Sequence, residues 1–165
     1  MSVEDDLRII AEQERGLVLD RIDEDVAFAI ATQIRAARKG AEKGIAFGVY
    51  LWDRTLAYGG TVGASEHNRL WIERKAKTVR LFLKSSYRLV LERGDKPRVL
   101  EPQWGLAPQD YALAGGGFPL TLRGAGVVGA VVVSGLAERV DHEISRAALA
   151  HVLGLGDDGF ALPPA

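Results

Sequence analysis

"GAGVVGAVVVSGL", residues 124–136, decides the fold. Its Gly124-x-Gly126-x-x-Gly129 spacing matches the loop that cradles a pyrophosphate in dinucleotide-binding domains. Such a loop must leave a strand and open a helix whose N-terminus faces the phosphate. Here Gly129 is followed by "AVVVSG", which is too β-branched and too short for that helix. Ahead of the glycines, Leu120 and Leu122 alternate with Thr121 and Arg123, which is a strand pattern. Two strands therefore flank Gly124-Ala125-Gly126, where a tight turn needs positive φ. The stretch predicts a β-hairpin and no nucleotide cofactor.

Moving outward, residues 45–60 show the same period. Ile45, Phe47, Val49 and Leu51 alternate with Ala46, Gly48, Tyr50 and Trp52, and Asp53-Arg54 punctuates before Leu56 and Tyr58. That predicts a second hairpin, with a close approach to the backbone at Gly48. The helical period appears in four places. Residues 3–15 carry Leu7, Ile10 and Ala11 on one face, with Ser2 as cap and Gly16 as stop. Residues 23–40 have an acidic start, Val26, Ala29, Ile30 and Ile34 in register, and a basic last turn before Gly40. Residues 65–93 hold the longest helical signal, with Ile72, Ala76, Val79 and Leu83 apolar and Glu73, Lys77, Arg80 and Lys84 polar. Ser65 caps this helix, which is expected to end near Ser86 or Tyr87. Residues 141–154 form the last helix, with Asp141 read as its cap.

A short strand is expected at 17–22. Residues 94–117 contain Pro97, Pro102 and Pro108, and Trp104 and Tyr111 argue that the loop is ordered. The element order predicts one α/β (α+β) domain over residues 1–154, an antiparallel sheet of about five strands flanked by helices. Residues 155–165 are read as a tail that is loosely ordered or clips onto a partner.

Composition narrows the function. The 165 residues are 47% hydrophobic, enough for one core. Twenty-one basic and 22 acidic side chains give a net charge of −1, which speaks against a nucleic-acid partner. The absence of cysteine removes disulfides, thiolate catalysis and cysteine-held metal clusters. The acidic start "MSVEDDLRII" lacks the form of a signal peptide, and no apolar run spans a bilayer. A cytoplasmic protein without a membrane partner is expected. Ser134, Asp141 and His142 invite a hydrolase triad, but Ser134 lacks a nucleophile elbow. Asp141 and His142 are adjacent, so on a helix their side chains diverge by about 100°.

"GGGFPLTLRGAGVVGAVVVSGLAERVDHEISRAAL" (115–149) resembles the signature of the GlcG/HbpS-type proteins (DUF336, haem-degrading-domain-like). "GTVGASEHNRLWIERKAKTVRLFLKSS" (60–86), with its Asn-x-x-Trp-x-x-x-Lys helix ending in Ser-Ser, resembles the UPF0303 branch, as does "EQERGLVL" near the N-terminus. Val132 and Leu56 stand where the wider family has glycine. The resemblance implies a profilin-like fold, a homo-oligomer, and a haem or other tetrapyrrole as ligand. Haem iron needs an axial ligand, and His67, at the start of the long helix, is the candidate metal ligand. Asn68 joins it as a ligand contact, Arg74 and Lys75 would meet anionic groups, and Gly116, Gly117 and Phe118 would form the pocket wall. No catalytic residue is assigned. Three readings stand: a small-ligand-binding oligomer, a haem-degrading enzyme, or an interaction protein without a small-molecule ligand.

Overall fold

The computed structural model describes residues 2–156 and 158–164. Ser2 and Asp5 close a reciprocal capping box, which starts α1 (Val3–Gly16). A two-residue strand, β1 (Val18–Leu19), leads into α2 (Glu24–Ala37), whose N-cap Asp23 accepts from the Val26 N–H at 3.0 Å. β2 (Ala46–Leu51) and β3 (Arg54–Gly60) form the first hairpin. Then come α3 (Glu66–Phe82) and α4 (Ser86–Arg93). The proline-rich loop is ordered around 3-10 turns at Pro102–Trp104 and Pro108–Asp110. β4 (Gly117–Leu122), β5 (Gly126–Ser134) and α5 (Glu138–Val152) complete the chain.

The strands form one sheet in the order β1-β4-β5-β2-β3. β4 and β5 are the hairpin expected around Gly124-Ala125-Gly126, and both glycines have φ near +80° (79° and 80°). The nucleotide-loop spacing is thus a turn. The expected all-antiparallel sheet needs correction at one edge, where β1 runs parallel to β4 through Val18–Thr121 and Leu19–Leu122. The chain crosses from β1 to β4 by way of the whole middle of the molecule, so no tight turn constrains the direction of that pair.

Period two sorts the sheet into two faces. Phe47, Val49, Phe118, Leu120, Val131 and Val133 pack against Ile30 and Ile34 of α2 and Leu149 of α5. The alternate positions Ala46, Ala130 and Val132 pack against Ile72 and Val79 of α3. The α3 face is built largely of small residues, so the helix can approach closely. At Gly48 a Cβ would strike the ring of Tyr50, two residues along the same strand; this is the close approach its sequence context implied. α1 and α4 meet through Ile10, Tyr87 and Val90, together with Leu162 of the tail. Within the same chain, Gln13 Nε2 donates to Phe160 O at 2.8 Å, and Arg139 Nη2 donates to Pro163 O at 2.7 Å.

Two helix boundaries differ from expectation. The long helix stops at Phe82, because Leu83 adopts a left-handed conformation (φ 55°), and a new helix starts after Ser85, whose Oγ accepts from Arg88 N–H. The last helix begins at Glu138, not after Asp141. Asp141 is therefore not an N-cap. It sits in the first turn and reaches back to accept from the N–H groups of Gly135 (3.2 Å) and Leu136 (3.1 Å).

Candidate functional site

The residues singled out in the sequence divide into two groups. Lys75, Gly116, Gly117 and Phe118 lie inside the molecule. Lys75 is 3% exposed; its Nζ donates to Val133 O (3.0 Å) and pairs with Asp141 Oδ2 (3.3 Å). Gly116 has φ +123°, and a Cβ there would meet Val133 O, Lys75 Nζ and Asp141 Cβ. Its carbonyl accepts from Ser145 Oγ at 2.8 Å. Gly117 N–H donates to Ser86 Oγ at 2.9 Å, and Phe118 is fully buried in the core. Lys75, Asp141, Gly116 and Ser145 thus form a closed polar joint that ties α3, β5, the glycine segment and α5 together. Burial pulls the Lys75 ammonium below its usual pKa, and the Asp141 carboxylate opposes that shift.

His67, Asn68 and Arg74 lie on the outer side of α3. Asn68 Oδ1 accepts from Ser65 N–H (2.9 Å) and from Ser65 Oγ (3.1 Å), completing the capping box that starts the helix. His67 is exposed, and one turn later Trp71 Nε1 donates to its Nε2 at 2.8 Å. A neutral imidazole that accepts at Nε2 carries its proton on Nδ1. Arg74 stacks over the Trp71 ring, 4.9 Å from its centroid, and donates to Tyr111 O at 2.9 Å. Its Nε is buried without a partner.

Three adjoining hollows follow this side of α3. The first, about 320 Å3, includes His67, Leu70, Trp71, Glu73 and Arg74, with Gln109 and Asp110 opposite. The second, about 270 Å3, lies against the β2–β3 hairpin at Tyr50, Trp52 and Thr55. The third, about 480 Å3, runs past Arg80 and Leu81 to Tyr111. Lys77 borders all three, so they form one open groove. Arg80 lies over Trp52, 5.8 Å from its ring centroid, and Lys77 reaches Asp110 only at 3.9 Å with both side chains about half exposed. Such a pair contributes little, which leaves Lys77 able to turn to a ligand. Rings of Tyr50, Trp52, Trp71 and Tyr111 line the groove, and on its border the three cations Arg74, Lys77 and Arg80 outnumber the carboxylates of Glu73 and Asp110, an arrangement suited to a flat ligand with acidic substituents.

Sequence reasoning singled out His67 and Arg74, which border this groove. It passed over Trp52, Lys77, Arg80 and Tyr111, which come from three separate segments. Trp71 was visible as the i+4 neighbour of His67, the spacing at which helix side chains touch. A hydrolase triad does not form. His142 Nε2 contacts Gln13 Oε1 at 2.8 Å in a fully buried position, and the carboxylate of Asp141 is held by Lys75 and the backbone. Among the described residues, no cluster of three or more His, Cys, Asp or Glu could hold a metal ion, and no helix is long and apolar enough to cross a membrane.

A single mixed sheet with α2 and α5 on one face and α3 on the other defines an α+β module. The family model described as "Haem degrading protein HbpS-like" matches residues 22–150. The chain is 44% identical over 162 residues to "UPF0303 protein mlr5144" of Mesorhizobium japonicum, covering 98% of this chain and 97% of that one. Among solved structures it is similar to Ybr137w protein, at 27% identity and TM-score 0.79, over 90% of this chain and 87% of the other. It is also similar to HbpS, at 25% identity and TM-score 0.60, over 81% and 91%. The chain belongs to the HbpS-like family, in its UPF0303 branch.

Proposed function

We propose that the chain binds haem, or a tetrapyrrole of like shape, in the groove along α3. The observation that carries this reading is an accessible imidazole at one end of a groove with aromatic sides, whose rim carries three cations against two carboxylates. The family's description as haem-degrading supports it. The residues present fit the group. His67 supplies the donor nitrogen, Trp71 and Trp52 offer ring faces, and Lys77 and Arg80 would neutralise the propionates. When bound, haem supplies iron-centred redox chemistry. The groove is open on its outer side, and a second subunit would cover it, in keeping with the oligomer that the resemblance implies.

A haemin titration of the purified chain, followed in the Soret region, tests the reading. The expected result is a sharpened, red-shifted band that saturates near one haem per chain and is lost in His67→Ala. A broad, unsaturating spectrum that is the same in both proteins would refute it. Added ascorbate and oxygen then separate the two family roles: a binder keeps its Soret band, whereas a degrading enzyme bleaches it.

The hydrogen bond from Trp71 makes a further expectation specific. The His67 Nε2 lone pair is occupied by the indole N–H, so a metal at that nitrogen must displace it. Trp71→Phe keeps an aromatic wall and removes the competing donor. One neutral hydrogen bond contributes about 1 kcal/mol, so haemin affinity should rise about fivefold, measured by the same titration.

A further inference from the structure

A larger cleft, about 680 Å3, opens at the end of α2 and shares no lining residue with the groove on α3. One wall is the last turn of α2 and the bend that follows, with Arg35, Arg38 and Lys39. The other is the end of β3 and the next two residues, Gly60 to Val62. The backbone fixes both walls. Gly40 turns the chain at φ +76°, Ile45 N–H donates to Thr61 Oγ at 2.9 Å, and Thr61 N–H donates to Ile45 O at 2.9 Å. A Cβ on Gly44 would strike the backbone of Gly63 and Ala64, so the two segments meet without a gap.

The charge in this cleft is one-sided. Three cations line it and no carboxylate does; Glu42, in the adjoining loop, is not part of the lining. None of the three cations forms an ion pair among the described residues. Arg38 is held in place, because its Nη2 donates to Lys43 O at 2.7 Å, while its Nε is buried with no partner. A helix C-terminus modestly favours nearby cations. That accounts for basic residues at the end of α2. It does not account for their sharing a cleft without a counter-charge, next to an unsatisfied guanidinium N–H.

We propose that this cleft is an anion site that takes a phosphate-bearing small molecule. Its volume lies within the range of small-molecule pockets and suits a ligand of nucleotide size. The pre-positioned Arg38 would present N–H donors to a phosphate oxygen. Arg35 and Lys39, both exposed, would close over it as mobile charges. Ala36 and Val62 offer apolar surface to the rest of the ligand. The site does not depend on the haem reading, since no residue is common to the two.

The test is calorimetric titration of the full chain with sodium pyrophosphate and with ATP at low salt. One saturable site per chain is expected, with ATP and pyrophosphate competing. Because Arg35 and Lys39 are exposed, the Arg35→Ala/Lys39→Ala double variant should fold and yet bind at least about tenfold more weakly, through the loss of two charge-assisted contacts. Arg38→Lys, which keeps the charge but loses the fork, should also weaken binding. Lys77→Ala and Arg80→Ala, on the α3 groove, should leave pyrophosphate affinity unchanged. The proposal is overturned by the absence of saturable binding, or by unchanged affinity in the double variant. Binding of a short RNA that pyrophosphate does not displace would also overturn it, because the surface would then serve a polymer.

Discussion

Asp141→Ala lowers the unfolding free energy by about 3–5 kcal/mol, the usual consequence of removing one partner of a buried ion pair. Three groups lose their acceptor at once. The Lys75 ammonium keeps only Val133 O, and the N–H groups of Gly135 and Leu136 are left without their side-chain acceptor. Lys75→Met should cost less, about 2 kcal/mol, because the carboxylate keeps both backbone donors and the methionine fills the volume with apolar atoms. Urea unfolding measures both. The midpoint should fall in the order wild type, Lys75→Met, Asp141→Ala, with an unchanged denaturant slope. If Asp141→Ala were as stable as the wild type, the joint between α3, β5 and α5 would have no structural role.

Acid should destabilise the fold through His142. The ring is fully buried between Tyr87 and Phe118, at centroid distances of 5.3 and 5.6 Å. Gln13 uses its Nε2 to donate to Phe160 O and Glu143, so its Oε1 accepts from His142 Nε2–H. The ring is therefore neutral, with a bare Nδ1 that has no partner. Burial first, and the nearby Arg146 and Arg139 second, push its pKa down from 6.5 to about 3. The folded pKa lies below the unfolded one, so between pH 6.5 and 3 the unfolded chain takes up a proton that the native chain refuses. The stability is complete above pH 6.5 and declines as pH falls, by up to about 1.4 kcal/mol per pH unit and up to about 5 kcal/mol across the window. Urea unfolding at pH 7, 6, 5 and 4 checks this against His142→Gln. The variant should be less stable at pH 7, through lost packing, but should show a flatter pH profile. Parallel profiles would mean that groups other than His142, the carboxylates among them, carry all the acid sensitivity.

Much of the architecture could be read from residue spacing alone. The hairpin at Gly124-Ala125-Gly126 was legible because a phosphate loop and a β-turn make opposite demands on the residues after the glycines: the first needs a helix there, the second a strand. The break after Phe82 was harder to see, since Leu83 takes a left-handed conformation without the usual glycine. The Ser-Ser pair beyond it was the available sign, because serine is a common helix cap. Asp141 looked like a cap because its residue type suits one; its true partners are a lysine 66 residues earlier and two backbone N–H groups. Lys75 itself was the missed clue. It falls between Ile72 and Val79 at helical spacing, inside the buried stripe of α3, where a lysine must have a partner. Reading it as a contact for a ligand's anionic groups missed that its partner is the buried Asp141. The groove on α3 depends on Trp52, Asp110 and Tyr111, brought in from the hairpin and the proline-rich loop. No local pattern could assign them, since only the tertiary fold sets them beside His67.

A tetrapyrrole lying along the outer face of α3 would touch some of the chain's tryptophans and not others. There are only three, which makes its position directly measurable. Trp52 and Trp71 border the groove, whereas Trp104 packs on Phe82 and does not line it. Zinc protoporphyrin, which is diamagnetic, can be added to the 15N-labelled protein and the three indole N–H signals followed by NMR. The Trp71 signal should move most, as its bond to His67 is broken; Trp52 should move with it, and Trp104 should stay in place. Unmoved Trp71 and Trp52 signals at saturating porphyrin would contradict binding in this groove.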